Sequence, residues 1–218
     1  MMDATLRARL LPISEQIETE RMILRATRAD DAPETFLAVL ESFNELAPWM
    51  PWVHPEPKLA GSEAFNQEAQ FKWVSREMLD FQWIDKTSGE LIGKGGFHTI
   101  NWETLLDFQW VDKVSGALIG KGGFHTINWE IPKFEIGYWV RTSMGGRGYC
   151  TEAVNALVAF SKQQLGAKRL EICSDPRNEK SRRVAERCGF ALEGILRRNM
   201  RDPYGGLRDS CMFAQVFE

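Results

Sequence analysis

Leu79, Phe81 and Trp83 alternate with Asp80 and Gln82, a two-residue period that predicts a strand with one buried face. Thr87–Glu90 (TSGE) supplies a turn, and LIGKGGFHTI from Leu91 continues as a Gly-rich strand, so this stretch predicts a β-hairpin. RMILRAT from Arg21 predicts a short strand. A helix then opens at Asp30–Asp31 with Phe36, Leu37 and Leu40 on one face. ELAPWMPWVHPEP from Glu45 reads as a Pro- and Trp-rich loop. Ser62 predicts an N-cap for a helix carrying Phe65, Ala69 and Trp73 in line. Further on, Phe134–Arg141 (FEIGYWVR) predicts a strand and TSMGGRGYC a Gly-rich turn. Thr151 predicts the cap of a helix bearing Val154, Leu157, Val158 and Leu165, ended by Gly166. RLEIC from Arg169 predicts a strand, NEKSRRVAERCG a short helix closed by Gly189, and FALEGIL with LRDSCMFAQVF an antiparallel pair joined through DPYGG. The sum is an α+β pattern on a mostly antiparallel sheet, expected as a single domain over 1–218.

The hairpin pattern occurs twice. Leu79–Glu103 and Leu106–Glu130 align without gaps, differing only at Ile84/Val111, Thr87/Val114 and Glu90/Ala117. Two copies do not make a solenoid, which needs at least three units. The unit is a duplicated hairpin.

Composition adds exclusions. The chain has 218 residues, 44% hydrophobic and 26% charged, with formal net charge −3, an ordinary composition for a folded soluble protein. The slight acidity argues against a surface built for nucleic-acid phosphates. No run approaches the roughly 18 apolar residues that span a bilayer, and the N-terminus lacks a signal-peptide core. No nucleic-acid or membrane partner is expected. Cys150, Cys173, Cys188 and Cys211 are spread out, without CxxC pairs and far from any His. They read as reduced thiols rather than a disulfide frame or metal site, with the cytoplasm as default location.

Candidate chemistry concentrates at MGGRGYC. A Gly-rich turn that leads into a helix presents successive backbone N–H groups to an anion, and Gly145, Gly146 and Gly148 allow close approach while Arg147 adds charge. A plain tight turn before a helix is the other open reading. No Lys-Ser/Thr follows the glycines, so this is not a Walker A loop, and GKGG at Gly93 and Gly120 fails the same test inside a strand pattern.

ETERMILRATRADDA, PWMPW, FEIGYWVRTSMGGRGYCTEAV and DPRNEKSRRVAERCGFALEG together resemble the GNAT superfamily of N-acetyltransferases, in the RimJ/RimL-like branch. The resemblance runs from about Glu18 to the C-terminus. It implies the GNAT fold, acetyl-CoA as co-substrate without a metal, and a primary amine as acceptor, either a protein N-terminus or a small amine. It also implies a monomer or homodimer. The family's pyrophosphate-binding pattern maps onto Gly145-x-x-Gly148-x-Cys150, bringing in Gly146, Arg147, Tyr149 and Thr151. Gly145 stands where the family usually has Gln or Arg, and Cys150 where it has Gly or Ala. By the same resemblance, Ile136–Val140, including Tyr138, Trp139 and Val140, holds the pantetheine arm where the strand splays away at Leu170. Glu135 corresponds to the base, against a plain surface carboxylate as the alternative. Ser181 corresponds to the acid with Asn178 as its orienter and pantetheine contact. Helix capping is the other reading of Asn178, and both roles can hold together. Trp49, Trp52 and His54 correspond to the acceptor-side loop, against simple apolar packing. Transfer is direct, without a covalent intermediate on Cys150. His98 and His125 are equivalent copies and read as strand side chains.

The duplication leaves three outcomes open: both copies enter a widened sheet, one is extruded, or the two compete for one place. Extruding the first copy would expose Leu79, Phe81, Trp83 and Ile92, at roughly 1.5–3 kcal/mol per large side chain. The expectation is therefore a sheet widened by two strands, which would move the N-terminal strand about 10 Å from the splayed one. Alongside an active acetyltransferase stand two alternatives, a fold variant with weak or no catalysis and a CoA-binding regulatory module.

Overall fold

The alternating segment at Leu79 lies in the middle of the sheet. A computed structural model describes residues 10–54, 56–98 and 127–218. Its strands are β1 (Gln16–Glu18), β2 (Met22–Ala26), β3 (Met78–Asp85), β4 (Leu91–His98), β5 (Ile127–Asn128), β6 (Lys133–Val140), β7 (Arg169–Ser174), β8 (Ala191–Arg201) and β9 (Leu207–Val216). They run in the order β1-β2-β3-β4-β6-β7-β9-β8, with β5 also on β6. The pairing of β6 with β7 is parallel and the others are antiparallel, giving the expected mixed α+β sheet. Helices α1 (Ala32–Glu41), α2 (Phe43–Leu46), α3 (Leu59–Ser75), α4 (Tyr149–Gln164) and α5 (Glu179–Arg187) flank it.

Strand alternation sorts the side chains. Leu79, Phe81 and Trp83 are fully buried with Phe97, Phe134, Leu157 and Phe160 in the main core, and Phe81 packs edge-on against Phe160 with ring centroids 5.6 Å apart. Asp80 and Gln82 point to the opposite face, towards α1 and α3. There Lys94 Nζ pairs with Asp80 at 3.0 Å, both almost fully buried, and donates to Asn66 Oδ1 at 3.2 Å. Thr27 and Thr35 complete this network through Asp80, Asn66 and Gln82. The lysine of GKGG is thus half of a buried ion pair, and removing either partner alone should cost about 3–5 kcal/mol. Its glycines are steric. A Cβ on Gly95 would lie 2.6 Å from the Trp83 ring and 2.8 Å from Gly137 O, and one on Gly96 would lie 2.0 Å from Leu79 O.

The expected widening of the sheet is corrected by the register of β4. Gly93 to Phe97 pair directly with Val140 to Ile136, so among the described residues no strand separates the first hairpin from β6. The first copy is also not extruded, because Leu79, Phe81, Trp83 and Ile92 are completely buried. The edge of β6 is instead shared between copies: β4 pairs as far as Ile136, and Ile127–Asn128 pair with Phe134 and Lys133. The reason is redundancy. One copy already fills the space over Gly93 and Gly95 with Trp83 and supplies the Asp80–Lys94 pair, so admitting two more strands would require breaking that fit. Residues 99–126, which include His125 and most of the second copy, lie outside the described residues.

Because the copies are identical around the seam, deleting residues 100–126 restores one uninterrupted FHTINWE. Such a chain should fold and melt at higher temperature, since a shorter connection between β4 and β5 loses less entropy on closing. Calorimetric melting of both chains checks this, and a lower melting temperature in the shortened chain would contradict it.

Three smaller expectations also change. The buried face of α1 consists of Ala32, Thr35, Ala38 and Val39, whereas Leu37 and Leu40 are exposed, because the close-packed network beneath admits only small side chains. Helix α3 starts at Leu59, ahead of Ser62, with Lys58 at its N-cap. Helix α4 starts at Tyr149, so Thr151 is inside the first turn and Gly148, at φ 83°, occupies the cap.

Candidate active site

Strands β6 and β7 pair over only three residues, ending at Glu135 opposite Glu171. Beyond them β6 continues to Val140 and β7 to Ser174 without partners between them. The backbone edge of Ile136–Val140 is therefore open on the β7 side, one residue past the predicted point of splay at Leu170. The opening is a slot whose walls are main-chain N–H and C=O groups, which must find a partner or water.

The Gly-rich turn stands at one end of this slot. Thr142–Met144 form a 3₁₀ turn, Gly146 and Gly148 have φ of 75° and 83°, and α4 follows. The N–H groups of Gly146, Arg147, Gly148, Tyr149, Cys150 and Thr151 donate to nothing among the described residues. Six consecutive donors at the N-terminus of a 16-residue helix suit an anion, reinforced by the helix dipole. Gly145, by contrast, donates back to Thr142 O at 3.1 Å.

A clasp that the sequence reading missed fixes this turn. Glu152 accepts from Arg21 Nε at 2.7 Å, from Arg21 N at 2.9 Å and from Thr19 Oγ1. The Arg21 guanidinium lies 4.3 Å from the centre of the Tyr149 ring and donates to Arg147 O at 3.0 Å. Tyr149 donates in turn to Asp85 at 3.1 Å. On the other flank, Glu41 pairs with Arg141 and accepts from Ser143 N, while Thr142 N donates to Ser42 Oγ. Burial opposes the Glu152 charge, but the bonds from Thr19 and Arg21 outweigh it and hold the carboxyl below the usual range. A depressed folded value stabilises the fold above the unfolded value and loses that effect as pH falls through the folded one. Glu152→Gln should therefore lower the melting temperature at pH 7, and the gap should close below about pH 4. Melts across pH 3–8 test this; a pH-independent gap would contradict it.

At the middle of the slot, Tyr138 Oη lies 3.1 Å from Ser181 Oγ, and it donates to Ser181 O at 3.2 Å. Burial pushes the Tyr138 phenol far up, so it stays protonated. Asn178 Oδ1 accepts from Ser181 N at 3.1 Å, so Asn178 is the N-cap of α5 and also fixes the turn that carries Ser181. Cys150 is half-buried with its thiol pushed far up by burial, an environment that disfavours a thiolate nucleophile.

The opposite face of the same strands carries Glu135 and Trp139 on β6, Cys173 on β7, and Ser210 and Arg208 on β9, by strand alternation and register. Glu135 is half-buried. Burial and then the nearby Glu135 charge push the Cys173 thiol up to about 11, which places the two side chains in one electrostatic neighbourhood. The neighbouring Glu171 is taken by Lys133 at 3.1 Å and Arg169 at 2.8 Å.

The predicted acceptor-side residues close over this face. Pro51–Val53 form a 3₁₀ turn whose Trp52 packs against Trp139 with centroids 6.3 Å apart. His54 Nε2 lies 2.9 Å from Ala47 O, and its ring meets Tyr204 of the β8–β9 turn at 5.4 Å. Trp49 O accepts from Arg208 at 3.3 Å. Tyr204 and Arg208 were not singled out from the sequence. Only the antiparallel return of β8–β9 brings them beside a loop some 150 residues earlier in the chain.

Residues 105–191 match the family described as "Acetyltransferase (GNAT) domain". Over 200 residues the chain is 32% identical to the uncharacterized N-acetyltransferase p20 of Bacillus licheniformis, covering 92% of this chain and 95% of that protein. A shorter segment of 65 residues is 43% identical to the putative ribosomal N-acetyltransferase YdaF of Bacillus subtilis (strain 168), spanning 30% of this chain and only 36% of YdaF. Among solved structures, the microcin C7 self-immunity acetyltransferase MccE, determined with acetyl-CoA and AMP, superposes with TM-score 0.74 at 21% identity over 91% of this chain and 93% of that one.

Proposed function

This chain belongs to the GNAT family of acetyltransferases, and we propose that it transfers the acetyl group of acetyl-CoA directly to a primary amine, in the manner of the RimJ/RimL-like branch. The observation that carries this reading is the β6–β7 slot with six free N–H donors at one end. An anionic pyrophosphate suits those donors, and an extended amide chain suits the open strand edge of Ile136–Val140. The acyl thioester supplies an activated carbonyl with a good leaving group.

Each residue then has a role. Glu135 takes the proton from the acceptor ammonium, directly or through a water, so that the free amine can attack the carbonyl. Ser181 Oγ donates a proton to the departing thiolate and recovers it from solvent, while Tyr138, which stays protonated, holds Ser181 in position from 3.1 Å. Asn178 keeps Ser181 in place through the cap of α5. Trp52, Trp139 and His54 form the wall against which the acceptor rests. The acceptor class proposed is a protein N-terminal α-amino group or a small amine.

One observation favours a second reading, a variant that binds CoA with little turnover. Glu135 sits at the seam on β6, between Ile136, paired with β4, and Phe134, paired with β5, so the candidate base borders the point where the two copies meet. Calorimetric titration with acetyl-CoA and a thiol-release assay over N-terminal peptides and polyamines separate the readings. Binding with release supports the enzyme, binding without release supports the variant, and no binding at millimolar ligand ends both.

A further inference from the structure

We propose that Arg208 recognises a carboxylate on the acceptor, so that the preferred acceptors are amines carrying a nearby acidic group, such as acidic protein N-termini. This rests on the acetyltransferase reading and deepens it.

The Arg208 side chain is 11% exposed, and its guanidinium is poorly satisfied. Nε has no partner among the described residues. Nη1 reaches Trp49 O at 3.3 Å, and Nη2 has only the Met200 sulfur at 4.0 Å, a weak acceptor. The nearest carboxylate, Asp175, is 3.9 Å away, and both its oxygens are already engaged by Arg177 at 2.9 and 2.7 Å. A nearly buried guanidinium with unfilled donors is costly unless an anion completes it. Its planar fork fits a carboxylate in two-point fashion.

Position ties this cation to the acceptor. Arg208 is on the same sheet face as Glu135, Cys173 and Ser210, and it is bonded to the loop whose Trp52 packs on Trp139. The mouth is basic too. Arg197, Arg198 and Arg201 stand exposed on β8 near the turn and outnumber the two acids beside them, Asp202 and Asp209, which are held by backbone N–H groups. The field at this end of the site therefore favours negatively charged acceptors.

The test uses C-terminally amidated tetrapeptides with a free N-terminal Ser, carrying one Asp at the second, third or fourth position, each beside its Asn counterpart. In the unaltered protein at least one Asp peptide should exceed its Asn partner tenfold or more in kcat/KM, through KM. Arg208→Gln should abolish that preference, and Arg208→Lys should restore part of it, with acetyl-CoA affinity by calorimetry unchanged in both. A merely structural Arg208 would lower Asp and Asn peptides alike, which overturns the proposal, as does an equal preference at every position or the absence of transfer to any peptide. Loss of acetyl-CoA binding by the unaltered protein would instead remove the acetyltransferase reading itself, so the two failures are distinguishable.

Discussion

Glu135→Gln should lower kcat by about 10²–10⁴, the usual contribution of a positioned general base, while acetyl-CoA affinity stays within twofold. The separation follows from geometry. The proposed anion site is a row of main-chain N–H groups at Gly146–Thr151, and Glu135 lies on the other side of the sheet from Tyr138 and Ser181, with Cys173 and Trp139. Gln keeps the size and the strand but cannot accept a proton from an ammonium. Steady-state kinetics with calorimetric binding on the same samples decide the matter. A fall smaller than threefold would move the base elsewhere on this face. Parallel losses of binding and turnover would mark Glu135 as structural.

The second large effect concerns the fold. Gly96→Ala should destabilise the protein by about 3 kcal/mol or more, beyond the common range for overpacking. The added methyl would meet the Leu79 carbonyl oxygen at 2.0 Å, and a main-chain atom in a paired strand cannot rotate aside. Gly123→Ala, the same change in the other copy, is the control that the duplication provides. A large loss at Gly96 and a small one at Gly123 assigns the β3–β4 hairpin to the first copy. If neither change alone is costly but the two together are, the copies exchange places, because Leu106–Glu130 repeats the apolar pattern of Leu79–Glu103. Chemical denaturation of the three variants reads the difference. The three positions that separate the copies support near-equal energies: Ile84 is half-buried, and Thr87 and Glu90 are exposed in the turn.

Much of this arrangement was legible in the sequence because it is locally encoded. Period-two alternation at Leu79–Trp83 placed β3, and Gly146 and Gly148 marked the tight turn ahead of α4, since positive φ is a property of the residue itself. Gly166 and Gly189 ended their helices where expected, at φ 62° and 79°. Helix starts were less secure. Ser62 and Thr151 are good caps in isolation, but upstream residues continued the helical path, and packing rather than a single hydrogen bond set the boundary.

What the sequence determined by itself is the α+β pattern, the duplicated hairpin and the Gly-rich turn that leads into a helix, all of which depend on residues within one or two turns of each other. Only the tertiary structure decided that the first copy forms β3 and β4, because two nearly identical sequences carry almost no local preference. It alone brought Tyr138 to Ser181, Arg21 to Glu152, and Arg208 to Trp49. Those pairs are separated by 43, 131 and 159 positions, and no local period links residues that meet only after the sheet has closed.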